Sequence, residues 1–155
     1  MADGGLAGAG HETALVTVGY EGRTATELVA VLAEAGVTVL ADVRLTPLSR
    51  KPGLSKRKLA DSLAAAGIEY LHLPALGNPK DNREAFRRGD PGARTRFEER
   101  LGTPPARVAL AELESRIRQD RVALLCFERE AGRCHRRLVS DCLLARDPQL
   151  AVRHL

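Results

Sequence analysis

The chain has 155 residues, 44% of them hydrophobic, the size of one ordinary domain able to bury a core without disulfide or metal support. No apolar run reaches the roughly 18 residues of a membrane span, and the N-terminus lacks the basic start and apolar stretch of a secretory leader, so a cytoplasmic protein with no membrane partner is expected. Of the 24 basic residues behind the net charge of +4, only Lys51, Lys56, Lys58 and Lys80 are lysine. Guanidinium forks suit phosphate and carboxylate, although a GC-rich coding bias gives the same richness in arginine. The aromatics, Tyr20, Tyr70, Phe86, Phe97 and Phe127, are too few for the stacking platform of a single-strand nucleic-acid binder.

Residues 1–12 are rich in Gly and Ala without periodicity and read as a loose tail ahead of a single domain over residues 13–155. Gly4, Gly5, Gly8 and Gly10 imitate a nucleotide loop, but no strand precedes them. Ala14 to Val18 is an apolar run ending at Gly19-Tyr20, the first strand. Thr24 with Glu27 makes a capping box; Leu28, Val31, Leu32 and Ala35 share a helical face, and Gly36 ends the helix. Val37 to Ala41, leading into Asp42-Val43-Arg44, is a second strand of the continuously apolar kind that a sheet covered on both faces uses. Leu59, Leu63, Ala66 and Gly67 mark another helix, and Ile68 to Leu73 a third strand.

From Pro74 to Gly102 glycine, proline and charge break the pattern, which predicts an insertion over the sheet with one short helix around Arg94 to Arg100. Thr103 and Pro104 open a helix carrying Ala106, Leu110, Leu113 and Ile117. Val122 to Cys126 is the fourth strand, a helix runs from about Cys134 to Ala145 ahead of Pro148, and Ala151 to Leu155 forms a terminal strand. Alternating strands and helices define an α/β fold: a three-layer α/β/α sandwich on a mainly parallel, Rossmann-like sheet, with every strand's carboxyl end on one edge.

That edge collects chemistry: Gly19, Tyr20 and Glu21 after the first strand, Asp42 and Arg44 after the second, His72 to Asn78 after the third, and Cys126 to His135 after the fourth. Cys134, between Arg133 and Arg136 in the expected first turn of a helix, has the surroundings of a nucleophilic or redox thiolate; packing with Leu138 and Cys142 is the other reading. Cys126 ends a strand before a loop and helix, the placement rhodaneses and protein tyrosine phosphatases use for their thiolate. Here, however, Arg133 follows one position later than the phosphatase Cys-x5-Arg spacing, and Leu125 stands where that family has histidine. Cys142, beside Leu143 and Leu144, belongs to the core.

His135 and Glu128 are candidate proton-transfer groups, Asp42 an acid–base or orienting carboxylate, and Arg44 and Arg136 an anion clamp, with Gly19 and Tyr20 beside them. His135 reads equally as a surface cap, and the carboxylates equally as structural ion-pair partners. Cys126, Cys134 and Cys142 make no disulfide framework and are expected as free thiols. Cys-x7-Cys-His matches no usual zinc spacing, so neither a metal nor another cofactor is expected.

Thr17-Val18-Gly19-Tyr20, Asp42-Val43-Arg44 with Pro47 and Ser49, Leu76-Gly77, and Cys126-Phe127-Glu128 with Cys134-His135-Arg136 resemble, in order, the motifs of the bacterial and archaeal family called domain of unknown function 488. The likeness spans about residues 14–155. It implies a small α/β protein with these residues on one edge and carries no activity with it. Where many relatives have His-Ser, this chain has Tyr20-Glu21. The expected function is a small cytoplasmic enzyme acting on an anionic or phosphate-bearing substrate through a Cys/His/Glu/Arg site. The alternative is a binding module for small anions or, less favoured, for nucleic acid along the Arg44 to Lys58 loop. Nothing in the sequence sets an oligomeric state.

Overall fold

The computed structural model describes residues 15–155; the expected tail, its glycines and Ala14 lie outside them. Five strands form one sheet: β1 (Leu15–Gly19), β2 (Val39–Asp42), β3 (Glu69–His72), β4 (Val122–Cys126) and β5 (Val152–His154). All pairings are parallel, in the order β3-β2-β4-β1-β5. β1, β2 and β4 are buried at every residue, as unbroken apolar runs require of a sheet covered on both sides.

The pleat sends alternate residues to two cores. Val16, Val18, Leu40, Ala123 and Leu125 pack on one face against Leu28 and Leu32 of α1 (Ala25–Glu34) and Leu59 and Leu63 of α2 (Lys56–Ala65). Leu15, Val39, Ala41, Val122 and Leu124 pack on the other, where Phe97 comes from α4 (Pro91–Leu101), Leu110 and Leu113 from α5 (Pro104–Gln119), and Val139 and Leu143 from α6 (Arg136–Arg146). This is a three-layer α/β/α sandwich of Rossmann-like type. The capping box starts α1: the Thr24 hydroxyl accepts from the Glu27 N–H and the Glu27 carboxylate accepts from the Thr24 N–H. Among the described residues no helix is long and apolar enough to cross a membrane.

Two expectations are corrected. The segment after β3 holds a 3-10 turn, Pro74–Leu76, and two helices, α3 (Lys80–Arg87) and α4, rather than one short helix. α3 buries only Asn82, so it lacks the apolar stripe that marks a helix in sequence, and Gly92 just inside α4 disguises a start that Asp90 caps through the Gly92 N–H at 2.8 Å. The last helix begins at Arg136, not at Cys134: a 3-10 turn over Ala131–Arg133 precedes it, and Cys134 is extended (φ −123°, ψ 142°).

Connectivity decides where a ligand fits. The chain leaves β1 and β2 toward the face that carries α1 and α2, but leaves β4, which lies between them, toward the face that carries α6. The loops diverge at the carboxyl end of β4, and a crevice opens there. Its rim needs two close approaches of backbone. A Cβ on Gly19 would overlap the Glu128 carbonyl, and one on Gly77 would overlap the Leu45 backbone.

Gly19→Ala therefore costs about 2 kcal/mol or more in chemical denaturation, since the β4 loop must lift away. Gly132→Ala, where a Cβ meets nothing within 4 Å, costs less than about 0.5 kcal/mol. Equal costs at the two glycines would show that the loop does not depend on the approach at Gly19.

Candidate active site

The crevice is a cleft of about 160 Å³ floored by Cys126, the last residue of β4. Cys126 and Cys134 are joined by a disulfide, and Cys142 is the free cysteine. The expectation of three free thiols is thus corrected. The end of β4 and the extended residue ahead of α6 both turn into the α5–α6 core, where the intervening loop doubles back.

Behind Cys126 lies Arg136, the first residue of α6, with no solvent exposure. Its Nη1 donates to the Cys126 sulfur at 3.2 Å and to the Glu128 carbonyl, and its Nη2 donates to the Arg129 carbonyl at 3.0 Å. Its Nε has no partner. Burial pushes this guanidinium down to about 10, against the attraction of Glu128, so it stays charged at neutral pH. A cation held this close favours the thiolate of Cys126 once the disulfide is opened.

Asp42, fully buried at the end of β2, grips Arg44 with both oxygens: Nε donates to Oδ1 at 2.8 Å and Nη2 to Oδ2 at 2.7 Å. The Arg44 N–H and the Tyr70 hydroxyl also donate to Asp42, at 3.1 and 2.5 Å. Burial opposes the charge on Arg44, but the bonds and attraction from Asp42 outweigh it and raise its pKa. Burial and the same carboxylate hold Tyr70 as the neutral phenol. Arg44 also donates through Nη1 to the Leu54 carbonyl at 2.7 Å and lies 5.3 Å from the centre of the Tyr20 ring.

His135 donates from Nε2 to the Val43 carbonyl at 2.8 Å, which leaves Nδ1 as an acceptor 3.6 Å from the Cys134 sulfur. Burial pushes its pKa down to about 4, the Val43 bond only partly opposing, so the ring is neutral at pH 7. The sulfurs of Cys126 and Cys134 and a ring nitrogen of His135 lie within 4.8 Å of one another. Joined in a disulfide, the sulfurs are no thiolate ligands; reduction turns the trio into a Cys₂His donor set of the kind zinc takes.

Of the residues expected at the site, Cys126, Glu128, His135, Arg44 and Tyr20 line the cleft, while Asp42, Cys134, Arg136 and Gly19 stand behind them. Because α6 starts late, Cys134 loses the helical first turn that would have activated it and is 1% exposed within the core. The sequence reading missed the far wall, Arg83, Phe86 and Arg87 of α3; Asn78 and Arg133, which it placed at strand ends on this edge, complete the lining. The i, i+3, i+4 spacing of Arg83, Phe86 and Arg87 was the available signal, a helix face carrying cations around one ring. Arg87 pairs with Glu128 at 3.0 Å and so ties that wall to the β4 loop.

A parallel α/β sandwich with a cysteine, arginines and a neutral imidazole gathered at the switch point of its sheet defines a class of small single-site proteins. Residues 24–143 match the family described as "Domain of unknown function DUF488". The chain belongs to that family. Among curated proteins none matches it. A solved structure from Shewanella putrefaciens CN-32, described as "Putative phosphatase (DUF442)", superposes with a TM-score of 0.50 at 13% identity, over 87% of this chain and 65% of that protein. The chain thus spans just under two thirds of that protein's length, and at this identity the likeness is one of fold.

Two measurements test the site's electrostatics. Asp42→Asn leaves Arg44 charged and buried without its counterion, and costs about 3 kcal/mol in denaturant unfolding. Glu69→Gln, which breaks the bidentate surface pair with Arg116 (2.7 and 2.8 Å), costs less than about 1 kcal/mol. A smaller loss at Asp42 than at Glu69 would contradict the account of Arg44. For His135 the folded pKa of about 4 lies below the ordinary 6.5, so between those values the unfolded chain binds a proton that the native state refuses. The stability of the neutral ring is complete above pH 6.5 and is lost as pH falls toward 4, roughly 3 kcal/mol in all. The stability difference between the wild type and His135→Gln should shrink by that amount from pH 7 to pH 4; a pH-independent difference refutes the burial argument.

Proposed function

We propose that this chain is a small cytoplasmic enzyme that acts on an anionic, phosphate-bearing substrate with the thiolate of Cys126 as its nucleophile. One observation carries the reading: Cys126 floors an arginine-lined cleft at the switch point of the sheet, with a buried guanidinium 3.2 Å from its sulfur. Arg83 and Arg133 hold the anion at the cleft wall, and Arg44, fixed on Asp42, adds its charge from the floor. Arg136 stabilises the thiolate from behind.

The reaction begins from the reduced pair, after a cellular dithiol, itself oxidised to a disulfide, has supplied the two electrons and two protons that open the Cys126–Cys134 bond. The Cys126 thiol passes its proton to the Glu128 carboxylate, 3.7 Å from the sulfur; the resulting thiolate attacks phosphorus, the bond to the ester oxygen breaks, and Glu128 hands that proton to the departing oxygen. Water then cleaves the sulfur–phosphorus bond, releasing phosphate and restoring the thiolate. His135 accepts a hydrogen bond from the Cys134 thiol, which positions that sulfur rather than activating it. The phosphatase description carried by the Shewanella protein agrees with this reaction in kind.

A small ligand fits better than a nucleic acid on the Arg44 to Lys58 loop. Arg44 is turned inward onto Asp42, and Lys51 donates to the Tyr20 and Arg23 carbonyls at 3.3 and 2.9 Å, so two of the loop's cations are spent on the fold. After reduction, iodoacetamide near neutral pH labels Cys126 ahead of the more accessible Cys142, and inorganic phosphate slows labelling at Cys126 only. Hydrolysis of a phosphate ester disappears in Cys126→Ser and persists in Cys142→Ser. Phosphate-insensitive labelling together with turnover in Cys126→Ser would take the chemistry away from this cysteine.

A further inference from the structure

Four of the fourteen residues that line the cleft are arginines. Five others are aromatic or aliphatic: Tyr20, Leu45, Leu48, Phe86 and Phe127 share the walls with the cations. The chain has only two tyrosines and three phenylalanines, and three of these five rings line this one cleft. Its rim is also where the surface leaves apolar side chains uncovered. Of the four large hydrophobic residues left exposed among the described residues, Leu48 (72%) and Phe127 (37%) both stand at the cleft. A site for inorganic phosphate, or for an ester with a polar body, has no use for such walls, and leaving them open to water is unfavourable.

The rings are also held in place. Phe127 meets Tyr20 edge to face at 5.3 Å and 77°, and Tyr20 in turn lies under Arg44. On the far wall Phe86 meets Phe97 at 6.0 Å and 83°, and Phe97 meets His135 at 5.3 Å and 74°. Two braced aromatic walls therefore rise from a cationic floor, and little side-chain freedom is left to lose when a flat group enters between them.

Resting on the phosphate-ester reading, we infer that the substrate is a phosphate monoester whose organic part is a flat apolar ring, held by Phe127 and Phe86 with Leu48 as the outer edge. The phosphate sits toward Cys126 and the ring toward the mouth. Phe127 and Leu48 are thus specificity-determining residues that touch the leaving group rather than the phosphorus.

Calorimetric titration of reduced, full-length Cys126→Ser, which binds without turning over, separates this inference from the catalytic one. Phenyl phosphate binds about tenfold more tightly than inorganic phosphate or glycerol 2-phosphate. In Phe127→Ala the ratio of phenyl phosphate to inorganic phosphate affinity falls to near one, and Phe127→Tyr keeps it. Leu48→Ala, at a residue too exposed to affect folding, lowers the ratio about threefold and stands in if Phe127→Ala does not fold. Equal affinities for phenyl phosphate and inorganic phosphate overturn the ring-binding inference and leave the anion site standing. No phosphate binding of any kind overturns both. A preserved aromatic preference in a wild-type protein without turnover removes the enzyme and keeps the ligand class.

Discussion

A charged guanidinium with no access to water holds the loop after β4. Arg136 reaches back from the start of α6 to the Cys126 sulfur and to the carbonyls of Glu128 and Arg129, so the strand end, the loop and the helix are fixed to one cation. The Glu128 carbonyl that accepts from it is the same atom that closes on Gly19. β1 can lie against the β4 loop only because position 19 has no side chain, and the loop keeps its course only because Arg136 satisfies its carbonyls. Phe127 and Glu128 are presented to the cleft from this braced segment.

The second buried pair works on a different principle. Asp42 and Arg44 are two residues apart, and four donors converge on one carboxylate. That arrangement compensates the burial of both charges locally and leaves Arg44 unable to swing outward. The positive charge at the cleft is therefore divided: Arg44 and Arg136 are built into the floor, whereas Arg83, Arg87 and Arg133 sit on the wall, each with one nearby surface or backbone partner. Lysine could replace neither floor residue, since both contacts use the separate nitrogens of a planar fork.

The sheet was legible because its strands are apolar throughout. Val122 to Cys126 reads as a buried strand from its sequence alone, and the Thr24–Glu27 box marks the start of α1 with a local signal that the structure reproduces. The floor of the site was legible for the same reason, since strand ends in a parallel sheet share an edge. α3 was not, because two of its three wall-forming side chains are arginines, its lone fully buried residue is an asparagine, and periodicity detects helices by what they bury. The Cys126–Cys134 bond was also hidden: a spacing of eight says nothing until the 3-10 turn shows that the loop doubles back. The late start of α6 follows that turn and keeps Cys134 out of the helix, while Cys126 stays at the end of β4 and lines the cleft.

α3 touches the interior through two side chains: Phe86, edge to face on Phe97, and the Asn82 amide, which donates to the Asn78 side chain at 2.9 Å and to the Ala93 carbonyl at 3.0 Å. Everything else the helix contributes faces the cleft or the solvent. The wall is held by one ring, one amide and the Arg87–Glu128 pair, while the floor is locked into the cores. Exchange of Arg83 or Arg87, at the surface, alters the charge of the cleft wall at little cost to folding, whereas any change at Cys126, Asp42 or Arg136 is paid in stability first. A cleft partitioned in this way can change the face it presents without disturbing the floor it stands on.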